Sequence, residues 1–122
     1  MTFKINMGLL ALVLVAGADA SATGAQAAPR TIQVAIEGFK FSPARIDAQV
    51  GDTIEWTNKD FAPHTATEVG GKWTTLTLKK GDVGRIVVKA PGTYAYRCNF
   101  HAQMNATIVV AGPAPASSKT VR

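Results

Sequence analysis

The residues with the richest chemistry in this 122-residue chain lie in one short stretch, with one further residue upstream. Cys98, His101 and Met104 follow one another at C-x2-H-x2-M spacing, and His64 supplies a second imidazole. The chain has one Cys and two His, so these positions use all of them. A thiolate, two imidazoles and a weak thioether are the ligands of a blue-copper electron-transfer site. The residue types and spacing therefore predict one copper ion bound by His64, Cys98, His101 and Met104.

Other interpretations of these residues stay open from the sequence. Cys98 also suits a buried small side chain, and Met104 suits plain core filling. Cys98 and His101 also have the types of a nucleophile and base, but no third orienting residue or oxyanion arrangement is visible. Two histidines are too few for a second copper centre. We therefore expect a protein that is not an enzyme.

The N-terminus has the features of a secretory signal. Lys4 precedes an apolar run over residues 7–18, and Ala25-Gln26-Ala27 fits the A-x-A cleavage pattern. The run is shorter than the about 20 apolar residues that span a bilayer, so we expect no membrane span after processing. We predict a signal peptide over 1–27 (with cleavage after Ala20 as second choice) and export to the periplasm.

Charge and composition limit the partners. The chain carries 13 Lys and Arg against 8 Asp and Glu, a net charge of +5. These cations are scattered, and no basic tract or phosphate-binding loop is visible, which argues against nucleic acid. A mild positive surface instead suits an acidic protein partner. The end of the chain, 112–122, is rich in Pro, Ala and Ser, and we predict a disordered tail there.

The segment between these ends, 28–111, alternates apolar and polar residues in short runs separated by Gly, Pro and Asp turns, and it has no long stretch of helical period. This pattern is typical of an all-β sandwich or barrel in one domain. The predicted strands cover residues 31–37, 45–50, 53–57, 64–69, 75–78, 85–89, 93–98 and 105–110.

The strand pattern constrains the ligands. Cys98 ends its strand on the same side as Tyr94 and Tyr96, which is the core side. Fully extended, the six steps from Cys98 to Met104 would span roughly 20 Å, so this loop must fold back for its ligands to share one ion. We expect His101, at the loop apex, to be the more exposed imidazole.

Four segments, 39–43, 50–58, 60–64 and 92–98, together with the ligand loop, resemble the cupredoxins. This blue-copper family includes plastocyanin, pseudoazurin and amicyanin, and the C-x2-H-x2-M spacing is that of amicyanin. The resemblance implies a Greek-key β-sandwich of about seven to eight strands. It also implies a monomeric one-electron carrier. The alternative is a periplasmic copper protein for storage, delivery or sensing.

The resemblance also implies a docking surface. In this family electrons pass through the exposed edge of the loop imidazole, which here is His101. Expected partners are redox proteins: a c-type cytochrome, an amine dehydrogenase, or a reductase or oxidase. The side chains expected around that edge are Phe61, Pro63, Phe100, Ala102 and Gln103.

Two departures from the family pattern concern the surroundings of the ligands. Thr65 stands where an Asn usually ties the two ligand segments together, and we expect Thr65 and Asn99, just outside the ligand set, to keep an altered tie. Phe100 and Ala102 replace the prolines that flank the loop histidine in amicyanin. Because proline lacks an N–H, their replacement permits extra backbone hydrogen bonds near the Cys98 sulfur.

Overall fold

The computed structural model describes residues 28–112, which form eight strands and no helix. The predicted signal peptide and all but the first residue of the predicted tail lie outside this range. Within it, no helix is long and apolar enough to cross a membrane. The strands are β1 (Thr31–Ile36), β2 (Phe41–Ser42), β3 (Arg45–Gln49), β4 (Thr53–Asn58), β5 (Thr67–Glu68), β6 (Val83–Val87), β7 (Gly92–Arg97) and β8 (Asn105–Ala111).

The strands pair into two four-stranded sheets, in the orders β2-β1-β4-β6 and β3-β8-β7-β5. β1 and β4 are parallel, as are β3 and β8, and the remaining pairs are antiparallel. The chain changes sheet at five of its seven connections, from β2 through to β7, which is a Greek-key type of path. The predicted all-β sandwich of about seven to eight strands is confirmed.

Alternating side chains form the core between the sheets. In β4, Ile54, Trp56 and Asn58 are buried while their neighbours are half-buried, and β8 alternates in the same way. Trp56 and Tyr96 meet across the core, where the indole Nε1–H donates to the Tyr96 hydroxyl at 3.2 Å. Burial of the phenol raises the pKa of Tyr96 to about 12, although the Trp56 hydrogen bond acts in the opposite direction. A rigid aromatic core therefore lies directly beneath the end of β7.

Three predicted strands are wrong in extent or position. The strand predicted over 85–89 begins and ends two residues earlier, as Val83–Val87. Residues 64–69 were expected to form one strand, but only Thr67–Glu68 does, and His64 makes an isolated bridge with Leu78. The predicted strand over 75–78 is irregular, and Leu76 has a φ of 63°. A side chain takes one of the two backbone bonds here: the Thr75 N–H still donates to the Ala66 carbonyl, but the Thr75 hydroxyl accepts the Ala66 N–H, both at 3.0 Å.

Candidate metal centre

The β7–β8 connection carries three of the predicted ligands and folds back on itself. Arg97 and Asn105 form the last pair of the two strands, so residues 98–104 make the hairpin loop. The Cys98 N–H donates to the Met104 carbonyl at 3.2 Å, and the Met104 N–H donates to the His101 carbonyl at 2.9 Å. These bonds close the loop and turn the Cys98 and Met104 side chains inward, each 1% exposed.

The other ligand segment leaves the end of β4 and is held by the buried Asn58. Its Nδ2 donates to the carbonyls of Ala62 and Leu78, at 2.9 and 2.8 Å, and its Oδ1 accepts the Asp60 N–H at 2.9 Å. His64 and Leu78 then exchange two backbone hydrogen bonds. The turn over residues 58–64 is thereby fixed against the core, and it delivers His64 to the ligand loop.

The two segments bring one sulfur and two nitrogens together. The Cys98 Sγ lies 3.7 Å from the His64 Nδ1 and 3.6 Å from the His101 Nδ1, and all three donor atoms lie within 4.8 Å of one another. Metal–sulfur and metal–nitrogen bonds of about 2.3 and 2.1 Å at trigonal to tetrahedral angles would separate S from N by about 3.6–3.8 Å. The observed distances fit one shared ion. Met104 is buried at the base of the same loop.

Asp60 determines which nitrogen of His64 faces the site. The His64 Nε2 lies 2.9 Å from the Asp60 Oδ2. An ionised carboxylate only accepts, so Nε2 carries the hydrogen and the Nδ1 lone pair points toward Cys98. Burial would raise the pKa of Asp60, but the N–H groups of Phe39 and Gly38 and the His64 ring outweigh it and lower that pKa. Asp60 thus orients the His64 ring so that its Nδ1 faces Cys98.

Thr65 and Asn99 lie just outside the ligand atoms. The Thr65 N–H points at the Cys98 sulfur at 3.4 Å, and its hydroxyl accepts the Asn99 N–H at 2.9 Å. Thr65 therefore ties the two ligand segments. Among residues 28–112, the backbone donor to the sulfur comes from this segment and not from the ligand loop, so the extra loop bonds permitted by Phe100 and Ala102 do not form.

The predicted docking residues all reach the surface. Phe61 and Phe100 are 88% and 54% exposed, His101 is half-buried while His64 is fully buried, and Lys80 Nζ lies 3.5 Å from the Phe61 ring centroid. Phe100, which the sequence left between core and surface, is therefore a surface residue. The remaining predicted members, Pro63, Ala102 and Gln103, are exposed as well.

The sequence analysis missed two residues at the site, Phe39 and Asp60. The Phe39 ring contacts both imidazoles edge-on, at centroid distances of 5.1 and 4.9 Å, and Asp60 bonds His64. Both positions stood in the motifs that carried the resemblance, but no role was given to them. The available sequence signal was the position of an acidic residue, Asp60, four residues before His64.

Sequence comparison identifies the family. A family model described as a cupredoxin-like domain matches residues 7–110. Amicyanin from Paracoccus denitrificans is 31% identical over 91 residues, which cover 70% of each chain.

Structural comparison agrees. An oxidized methionine-to-leucine variant of amicyanin matches with a TM-score of 0.62 and 28% identity, covering 66% of this chain and 81% of that one. A copper-containing nitrite reductase from Thermus scotoductus matches with a TM-score of 0.64 and 27% identity, covering 73% of this chain but only 24% of the enzyme. The cofactor that fits the donor atoms here is one copper ion. The chain belongs to the cupredoxin family and is close to amicyanin.

Proposed function

We propose that this protein is a soluble one-electron carrier of the periplasm that uses copper bound by His64, Cys98, His101 and Met104. The observation that carries the proposal is the convergence of Cys98 Sγ and two imidazole Nδ1 atoms within 4.8 Å. Bound there, copper would supply reversible one-electron redox chemistry. The protein's own contribution is to hold the donors in place with little rearrangement.

The burial and hydrogen bonding of the ligand segments support this role. Cys98, His64 and Met104 are each at most 1% exposed, and backbone hydrogen bonds fix both ligand segments. Deprotonated Cys98 and neutral imidazoles are needed for binding, so acid should weaken it. A buried, prearranged site suits fast electron exchange better than the open site that a copper donor needs.

The exposed surface beside His101 supports transient docking. The Phe100 ring lies edge-on to the half-buried His101 imidazole, at a centroid distance of 6.5 Å. Phe61 is 88% exposed, and the positively charged Lys80 lies over its ring. Weak electron-transfer contacts are typically small, below about 1,200 Å². We propose partners that are redox proteins with an acidic face, such as a c-type cytochrome, an amine dehydrogenase or a reductase.

Titrating the purified apoprotein with copper, followed by visible and EPR spectra, tests the proposal. We expect one copper per chain, a strong thiolate-to-copper absorption band and a reversible one-electron wave. Cys98→Ser should abolish the band, whereas Ala95→Ser, on the exposed face of β7 just before Cys98, should keep it. Colourless Cu(I) binding with rapid loss to a chelator would instead support storage or delivery. Retention of the band by Cys98→Ser would overturn the ligand assignment.

A further inference from the structure

The turn that joins β1 to β2 has an unusual residue at its centre. Glu37 and Lys40 exchange backbone hydrogen bonds at 3.1 and 3.2 Å, which leaves Gly38 and Phe39 as a two-residue loop. Their φ values are 61° and 58°. Such a type I′ turn favours Gly, Asn or Asp at both positions, and a bulky side chain with positive φ is strained. Phe39 therefore occupies its position at a conformational cost.

Asp60 holds this strained turn against the metal centre. Its Oδ1 accepts the Gly38 N–H at 2.8 Å, and its Oδ2 accepts the Phe39 N–H at 2.9 Å. The same Oδ2 bonds the His64 Nε2. One carboxylate thus connects the turn to a ligand, so the place of the Phe39 ring is fixed relative to the donor atoms.

The Phe39 ring completes a triangle with the two imidazoles. Its centroid lies 5.1 Å from that of His64 and 4.9 Å from that of His101, at interplanar angles of 88° and 89°. The imidazole centroids are 5.0 Å apart. These edge-to-face distances are in the favourable range for aromatic pairs. Because backbone strain persists only where its surroundings enforce it, the contact accounts for a phenylalanine at this turn.

The two imidazoles depend on this ring to different degrees. His64 is fully buried, and Asp60 already holds its Nε2. His101 is half-buried and sits on the ligand loop, so packing restrains its ring less. We propose that Phe39 is a positioning residue that keeps the His101 imidazole in its ligating orientation. This inference deepens the proposed function and rests on it.

The test compares four copper-loaded proteins by the rate at which an excess of a Cu(I) chelator removes copper. Phe39→Gly relieves the positive φ but deletes the ring, and it should release copper about 3- to 10-fold faster than wild type. Phe39→Tyr keeps the ring and should restore the wild-type rate. Leu76→Gly relieves the same strain at an exposed residue with a φ of 63°, and it should leave the rate unchanged.

A second readout needs no copper. In the apoprotein, NMR relaxation of the His101 ring should report a restrained imidazole in wild type and Phe39→Tyr, and a mobile one in Phe39→Gly. Urea unfolding should show that Phe39→Gly is folded, so that loss of the fold cannot explain faster copper release or a mobile His101 ring. Wild-type copper release together with an unchanged His101 ring in Phe39→Gly would overturn the inference. If wild type gave no thiolate-to-copper band, the proposed function would fail, while the apoprotein measurement would still decide the role of Phe39.

Discussion

Two aspartates lie at opposite ends of β4, and each carboxylate accepts hydrogen bonds from two backbone N–H groups. Asp52 precedes the strand and accepts the N–H groups of Arg30 and Gln49, at 2.8 and 2.9 Å. Asp60 follows the strand and accepts those of Gly38 and Phe39, at 2.8 and 2.9 Å. Each carboxylate fastens its own segment to one that lies 21 or 22 residues earlier in the chain.

The two carboxylates differ in the third group that donates a hydrogen bond to each. For Asp52 it is the Arg30 guanidinium, at 3.3 Å, and the carboxylate is 2% exposed. For Asp60 it is the His64 imidazole, whose other nitrogen faces Cys98. At one end of the sandwich, the carboxylate therefore joins two segments of the backbone. At the other end, the same hydrogen-bonding pattern also orients an imidazole of the candidate copper site.

Replacing Asp52 should have the largest effect on stability. Asp52→Ala removes a buried carboxylate that accepts two partly buried N–H groups and the Arg30 guanidinium, and we expect it to lower the free energy of unfolding by about 2–4 kcal/mol. Urea unfolding of the apoprotein, followed by tryptophan fluorescence, measures this. The copper absorption band should not change. The control is Asp47→Ala, which breaks an exposed ion pair with Arg45 and should cost no more than about 1 kcal/mol.

Replacing Asp60 should lower both the free energy of unfolding and the affinity for copper. The N–H groups of Gly38 and Phe39 are exposed, so water can replace the carboxylate, and Asp60→Ala should cost about 1–2 kcal/mol of unfolding free energy. Loss of the bond to His64 should weaken copper binding about 10- to 100-fold. A competition titration measures the affinity. Unchanged affinity in Asp60→Ala, or weakened affinity in Asp52→Ala, would break the comparison between the two ends.

Acid should remove the stabilisation that Asp52 contributes. Burial would raise the pKa of Asp52, but the N–H groups of Arg30 and Gln49 and the Arg30 guanidinium outweigh it, so that pKa lies below its ordinary 3.8. The stabilisation is therefore complete above 3.8 and is lost as the pH falls through the lower folded value. Unfolding of the apoprotein across this acidic range should be less pH-dependent in Asp52→Ala than in wild type. Equal slopes would contradict the assignment.

Much of the fold could be predicted from the alternation of apolar and polar residues, because the burial of one strand face requires that alternation. Where one face of a strand packs on the core, as in β4 and β8, apolar and polar residues must alternate. The pattern failed between residues 64 and 78, where threonine hydroxyls take over backbone hydrogen bonds. The sequence does not show where a threonine hydroxyl will replace a backbone partner, because Thr is also common in regular strands.

The meeting of His64, Cys98 and His101 could be predicted because few residue types bind copper. The partners around them were less predictable. Asp60 and Phe39 contact each other although they lie 21 residues apart in sequence. Phe39 also has a positive φ, which phenylalanine rarely adopts. A sequence pattern describes neighbours along the chain, whereas these two residues matter through neighbours in space.

The smallest predicted effect concerns charge at the two ends. Lys80 lies against the exposed Phe61 at the metal end, whereas Lys89 follows Val88, whose backbone bonds Asp52 and Gly51 at the other end. Lys80→Gln should slow oxidation of the reduced protein by ferricyanide, an anion, by about two- to threefold at 0.1 M salt, because local positive charge raises the encounter rate. A cationic cobalt(III) oxidant should not be slowed. Lys89→Gln removes the same net charge but should have a smaller effect, since screening limits charges beyond about 10 Å at 0.1 M salt. Equal slowing by both variants would mean that net charge, and not the surface beside His101, steers small anions.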